Sequence, residues 1–212
     1  MASTLTGFRR SLLRWTDFGT PITKAPPAHA HAWAFTDTSY NRSLPSFEKV
    51  AGSSPTEFVM KDDLSLTIKF NSSPSFVLKK VFLESSTFQS DLLSHEQGHY
   101  EITSIICRDF FVDCMLLKGD TFSSQQEGVA AVNSINTASL DLLGKTHIRY
   151  DTDVHPEQEQ GKSRGPKQIM WEGFFFSAKS KARSSGTTDP SGTVTHKQRL
   201  LDLLSAAGIK IS

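Results

Sequence analysis

The five residues His95-Glu96-Gln97-Gly98-His99 match the H-E-x-x-H pattern of zinc-binding helices. On an α-helix, residues four positions apart lie one above the other, so both imidazoles can reach one cation. Glu96 lies beside that face, where its carboxylate can reach a water next to the metal without binding the metal. The stretch therefore predicts a helix that carries a Zn²⁺ site and a general base.

The residues around this motif have the apolar spacing of a helix that faces a protein core. Spacings of three and four residues connect Leu92, His95, His99, Ile102, Ile106 and Phe110. A single histidine on such a face is usually a core residue, but two histidines beside a buried Glu96 would cost several kcal/mol, roughly, in lost solvation. Because a divalent cation offsets this cost, we favour metal binding over core packing.

The other elements predict an α+β fold. A capping box of Ser86 and Gln89 opens the motif helix, which can run to Gly119. Ser124 and Glu127 open a backing helix that we expect to stop at Gly144. Alternating apolar residues predict a strand over 64–70, and the run 76–83 could pair with it after a turn at 71–74. Residues 33–40 also read as extended. We expect a zincin-like single domain, with a small, mostly antiparallel sheet packed on an active-site helix and a backing helix.

Composition limits the classes of protein to which the chain can belong. Its 212 residues, 37% of them hydrophobic, suit one domain over residues 1–176. Residues 177–195 are polar and rich in small side chains, which predicts a flexible linker before a short helical tail at 196–212. A net charge of +1 without basic blocks indicates no nucleic-acid partner. Apolar runs are too short for a membrane span, and nothing resembles a secretion signal, so we expect a soluble protein. The two cysteines, Cys107 and Cys114, are too far apart on one helix to form a disulfide.

Two histidines leave a catalytic zinc site one protein ligand short. We favour His155, which lies in the segment Tyr150-Asp151-Thr152-Asp153-Val154-His155-Pro156 and which we interpret as a polar loop. Asp151 or Asp153 could accept from its free ring nitrogen. Tyr150 could donate to the oxyanion at a scissile carbonyl. The alternative ligands are Glu127, which serves equally well as a capping residue, and Glu157, Glu159, His147, His29 and His31.

Three groups of residues together resemble a bacterial family of predicted secreted zinc-dependent proteases. The first is Trp15-Thr16-Asp17-Phe18-Gly19-Thr20-Pro21, and the second is His95-Glu96-Gln97-Gly98-His99-Tyr100-Glu101-Ile102. The third comprises Tyr150-Asp151, His155, Gln168 and Trp171. The resemblance spans about residues 13–176. It implies a zincin-like metallopeptidase with a functional His155, and members of the family are usually exported.

The leading hypothesis is a zinc metallopeptidase that acts on peptide or protein substrates. His95, His99 and His155 bind Zn²⁺, Glu96 is the general base toward a water, and Tyr150 assists. An edge of the sheet could hold the substrate by strand addition. Two alternatives stay open: a non-catalytic zinc-binding interaction module, and a metal-dependent hydrolase of a non-peptide amide.

Overall fold

The structure, a computed structural model, describes residues 3–8, 12–159, 164–184 and 199–211. Over these residues the architecture is mixed α+β, as predicted. The strands are β1 (Thr4–Thr6), β2 (Ala34–Phe35), β3 (Thr38–Arg42), β4 (Phe47–Lys49), β5 (Phe58–Met60), β6 (Ser65–Phe70) and β7 (Phe76–Val77). The helices are α1 (Ser86–Leu116), α2 (Gln125–Glu159), α3 (Pro166–Ser184) and α4 (Leu200–Ala206). None of these four has both the length and the apolar character that crossing a membrane requires.

The largest sheet is built around β6, the strand that sequence alternation predicts. Leu66 and Ile68 are buried on one face. β3 pairs antiparallel with β6, with Tyr40 opposite Ile68, and β1 pairs parallel with it on the other side, with Leu5 opposite Leu66. Two further antiparallel pairs, β2 with β7 and β4 with β5, form separate two-stranded sheets. The described sheet structure is thus mostly antiparallel, but it is divided into three parts.

The predicted strand over residues 76–83, paired with β6, is wrong. Only Phe76–Val77 is a strand, and Lys79–Leu83 forms a 3-10 turn. β7 pairs with β2 instead, and Ile22 donates its backbone N–H to the Val77 carbonyl at 3.0 Å. The strand ends because the chain turns after Leu78, where the Val81 N–H donates to the Leu78 carbonyl at 3.0 Å and Lys79 and Lys80 become exposed. The extended stretch 33–40 is likewise divided between β2 and β3, which belong to different sheets.

Helix α1 carries the metal motif through the middle of the fold. Its cap is Ser85, whose hydroxyl accepts from the Phe88 N–H at 3.2 Å, one residue before the predicted cap. The helix ends at Leu116, and residues 117–119 form a 3-10 turn. It packs against α2, α3 and the sheet strands β3 and β6. Cys107 and Cys114 are free and buried in it, as predicted.

The prediction that the backing helix stops at Gly144 is wrong, since α2 continues to Glu159. Its buried face runs from Leu143, directly before the glycine, to Thr146, Tyr150 and Val154 after it. Gly144 itself is exposed, and a glycine in a helix costs only about 1 kcal/mol relative to alanine, less than this burial contributes. Residues 150–155 therefore lie on a helix and not in the predicted loop.

The C-terminal part of the chain extends the core beyond residue 176. Helix α3 continues to Ser184 with Ala178 buried, so residues 177–184 are helical and not linker. Residues 185–195 of the predicted linker lie outside the described residues. The predicted helical tail is present as α4, where Leu200 and Leu204 are buried and Arg199 pairs with Asp113 of α1. The tail is therefore docked on the domain.

Candidate metal centre

Three atoms of the kinds that bind metal ions lie close together where α1 faces α2. His95 and His99 lie one turn apart on α1, and Asp151 approaches from α2. The His99 Nε2 atom is 3.1 Å from Asp151 Oδ1, and His95 Nε2 is 3.4 Å from the same oxygen. The two Nε2 atoms are 3.3 Å apart. The three atoms thus form a nearly equilateral triangle.

The dimensions of this triangle fit a tetrahedral zinc ion. Zinc binds imidazole nitrogen and carboxylate oxygen at about 2.0–2.1 Å, so two of its ligand atoms lie about 3.3 Å apart. Asp151 Oδ1 is buried and lies within ion-pair distance of both imidazoles. The donor atoms and their spacing therefore suit Zn²⁺.

The third residue of this cluster is Asp151, whereas the predicted third ligand is His155. His155 lies one helical turn after Asp151, with its Nε2 3.8 Å from Asp151 Oδ1 and its side chain 54% exposed. Its ring centroid is 5.0 Å from that of His95, so it borders the cluster without completing the triangle. The geometry favours Asp151 as the third ligand, with His155 beside it.

The other predicted ligand candidates do not join this cluster. Glu127 accepts from the Ser123 N–H at 2.7 Å in the first turn of α2, which is its alternative capping role. His29 stacks on Phe35 with ring centroids 3.8 Å apart. The side chains of Glu157 and Glu159 lie outside the described residues. Asp153, the alternative to Asp151 as the predicted acceptor from the His155 ring, instead accepts from the Arg149 side chain and from the Trp171 N–H.

Glu96 is a buried carboxyl in the same cleft, only 2% exposed. Its Oε2 atom has no hydrogen-bond partner among the described residues. Burial raises the pKa of Glu96 to about 7, although nearby His99 and Thr36 favour the charged form. A carboxyl that titrates near neutral pH can take and return a proton, which is what a general base requires.

Electrostatics hold two of the three candidate ligands in their metal-binding forms. Burial lowers the pKa of His95 to about 4, so its imidazole is neutral at pH 7. Burial opposes ionisation of Asp151, but its contacts with His95 and His99 outweigh this and hold its pKa well below the ordinary value. Burial also lowers the pKa of His99, but the contact with Asp151 outweighs burial and raises that pKa above its ordinary value. Because a carboxylate beside neutral imidazole is the form that binds zinc, the metal has to displace a proton from His99.

Tyr150 does not reach the position predicted for it. Its side chain is fully buried, and its hydroxyl donates to the His95 carbonyl at 3.3 Å. The phenol ring stacks on the His95 imidazole, with centroids 5.0 Å apart and an interplanar angle of 12°. Tyr150 is not among the residues that line the cleft, so the predicted donation to an oxyanion does not fit. Its observed contacts instead fix the orientation of His95.

Gly98 makes this packing possible. A Cβ atom at this position would lie 2.2 Å from the Tyr150 hydroxyl oxygen and 2.5 Å from its Cζ atom. The ring has no space to retreat, because Trp171 and Phe175 pack on it with centroid distances of 5.3 and 5.9 Å. Close contact between α1 and α2 therefore requires a glycine at position 98 of the motif.

We expect Gly98→Ala to lower the free energy of unfolding by about 1–3 kcal/mol, since overpacking outweighs the gain of up to about 1 kcal/mol in helix propensity. Gly144→Ala is the matched control, because a Cβ there meets nothing within 4 Å and should stabilise the protein slightly. Urea unfolding of both variants in chelator measures the difference. Equal stabilisation by the two substitutions would contradict the observed packing.

The cluster lies in a cleft of about 1090 Å³. Residues 31–38, which include β2 and the start of β3, form part of its lining, and residues from the start of α1 form another part. His95, Glu96, His99 and Asp151 all line it. The candidate ligands and the candidate base therefore share one accessible space.

Sequence reasoning missed Asp151 as a candidate ligand because it ended α2 too early. Once residues 125–159 are known to be one helix, the four-residue spacing of His147, Asp151 and His155 places them on one face. All three line the cleft. This spacing is visible in the sequence and would have identified the facing half of the site.

Comparisons of the chain with protein-family models, with curated proteins and with solved structures find no match. The resemblance to secreted zinc-dependent proteases therefore stays a prediction.

Proposed function

We propose that this protein is a zincin-like zinc metallopeptidase. The observation that supports this function best is the triangle of His95 Nε2, His99 Nε2 and Asp151 Oδ1 in the same cleft as the buried Glu96. Ligands alone fit a structural zinc as well as a catalytic one. A buried carboxyl that has one oxygen without a hydrogen-bond partner among the described residues, and that shares an accessible cleft with the ligands, favours catalysis.

In this proposal each residue has one role. His95, His99 and Asp151 would hold Zn²⁺, which when bound polarises a carbonyl and makes water a better nucleophile. Glu96 takes a proton from the attacking water and returns it to the leaving amine. Tyr150 stacks on the His95 ring and fixes its orientation, and Gly98 lets the α1 backbone approach Tyr150 closely.

The lining of the cleft favours a peptide over a small amide. The volume of the cleft, about 1090 Å³, is close to the upper end of the roughly 300–1,000 Å³ range of small-molecule sites and does not separate the two substrates. Residues 33–38 run along it in largely extended form, so their backbone can pair with an extended substrate. A peptide bound in this way would pass the candidate metal site.

Metal removal tests the proposal. We expect zinc-loaded protein to cleave unfolded casein or a mixed peptide library, to lose this activity in chelator, and to regain it with about one equivalent of zinc. Mass spectrometry of the products gives the cleaved bonds. Zinc binding without cleavage of any peptide would instead support a non-catalytic zinc-binding module, and cleavage that chelator leaves unchanged would contradict metal catalysis.

A further inference from the structure

A chain of polar contacts leads away from His99 through a second, half-buried imidazole. His99 Nδ1 lies 2.9 Å from His147 Nδ1, and His147 Nε2 lies 3.2 Å from Thr103 Oγ1. The Thr103 hydroxyl is in turn 2.6 Å from that of Thr38. The chain connects α2 to α1 and then to the edge of β3, and Thr103 is completely buried.

With both imidazoles neutral, as zinc binding requires, proton counting gives this chain two arrangements. The contact between the two Nδ1 atoms holds one proton, which belongs either to His99 or to His147. If His147 donates, neutral His99 carries its proton on Nε2 and cannot bind a metal through that atom. If His99 donates, its Nε2 is free to bind, and neutral His147 carries its own proton on Nε2. The Thr103 hydroxyl can then accept a hydrogen bond from the His147 Nε2–H and donate one to the Thr38 hydroxyl.

The other histidine of the motif has no comparable partner. His95 Nδ1 is buried without a hydrogen bond among the described residues, and stacking on Tyr150 fixes its ring instead. His99 has no parallel ring stacked on it, because Tyr150 meets it edge-on at an interplanar angle of 89°. Orientation of His99 therefore depends on the contact with His147.

We propose that His147 is the positioning residue of the metal centre, which accepts the Nδ1 proton of His99 and thereby presents His99 Nε2 to zinc. Thr103 holds His147 in the tautomer that accepts. The inference depends on the proposed zinc site and adds a function to a residue that does not bind the metal itself. Metal-ligating histidines commonly donate their other N–H to an oxygen acceptor. Here a neutral imidazole has that role.

Zinc affinity of three variants tests the role of His147. His147→Leu removes the acceptor and should weaken zinc binding by about 10–100-fold. His147→Asn keeps an acceptor oxygen at the δ position and should retain most of the affinity. Lys145→Leu is the matched control, because Lys145 is an exposed residue of the same helix that does not line the cleft, and it should leave affinity unchanged. Competition with a chromophoric chelator gives the constants, and thermal unfolding in chelator shows which variants are folded.

Two results would overturn the inference. Unchanged affinity in a folded His147→Leu variant would show that His99 needs no acceptor. Equal losses in the leucine and asparagine variants would show that the shape of His147 matters and its nitrogen does not.

Tautomers measured by nitrogen NMR in the unmodified protein give a second readout, independent of variant folding. Zinc-loaded protein should carry the His147 proton on Nε2 and the His99 proton on Nδ1, and the opposite tautomer of His147 would contradict the proposal. If the unmodified protein binds no zinc, the proposed function fails as well. If it binds zinc and only these tests fail, the role proposed for His147 is wrong and the proposed zinc site is unaffected.

Discussion

Replacing Glu96 with glutamine is expected to abolish peptide hydrolysis while zinc stays bound. Glutamine has nearly the same shape and cannot take a proton, so it removes the general base without disturbing the ligand triangle. General-base catalysis contributes typically about 10²–10⁴-fold, which sets the expected loss in kcat/KM. The carboxyl is buried, so the neutral amide should not destabilise the fold. Steady-state cleavage of a fluorogenic peptide, with zinc content measured on the same sample, checks both parts.

Glu101→Gln is the matched control for this substitution. Glu101 lies on the same helix five residues later, where it pairs with Lys179 and accepts from the Gln97 amide. Its loss should leave kcat/KM close to that of the unmodified protein. Full activity in Glu96→Gln would contradict the assignment of the base, and loss of zinc in that variant would show that Glu96 binds or supports the metal instead.

Replacing Asp151 with alanine is expected to have the second large effect, on metal binding. Loss of a residue that only supports a ligand costs about 10–100-fold in affinity, and loss of a ligand should exceed that range. The Asp151 side chain is 37% exposed, so the protein should tolerate its removal. Zinc affinity measured by chelator competition checks the expected loss.

His155→Ala separates the geometry from the sequence-based prediction. If Asp151 is the third ligand, this variant should lose much less zinc affinity than Asp151→Ala. If His155→Ala loses as much as a ligand variant does and Asp151→Ala does not, then the predicted ligand His155 stands and the triangle is misleading. A similar large loss in both would indicate that zinc takes four protein ligands, which favours a structural site.

The metal motif and its helix could be predicted from sequence because they depend on local rules. Helical spacing alone places His95 and His99 on one face, and apolar residues at the same spacing turn that face inward. β6 was predictable for a similar reason, since its alternation of buried and exposed residues is local. The position of the cap was wrong by one residue, which is within the usual uncertainty at helix ends.

The remainder of the site could not be predicted, because it depends on contacts between distant segments. By local rules, Gly144 and the polar residues after it indicate a helix end. The helix nevertheless continues, because Tyr150 and Val154 are buried where α2 packs against α1 and α3. That error placed His155 in a loop and left Asp151 out of the predicted candidate ligands. The space for Tyr150 depends in turn on Gly98, which is 52 residues away along the chain.

The zinc content of the unmodified protein tests the central claim most directly. The purified protein would be stripped with chelator, reloaded with excess zinc and dialysed, and its metal measured by mass spectrometry against protein concentration. The site predicts about one zinc ion per chain. Protein that retains no zinc after this treatment would contradict the claim, and the two histidines and Asp151 would then be polar residues of the core.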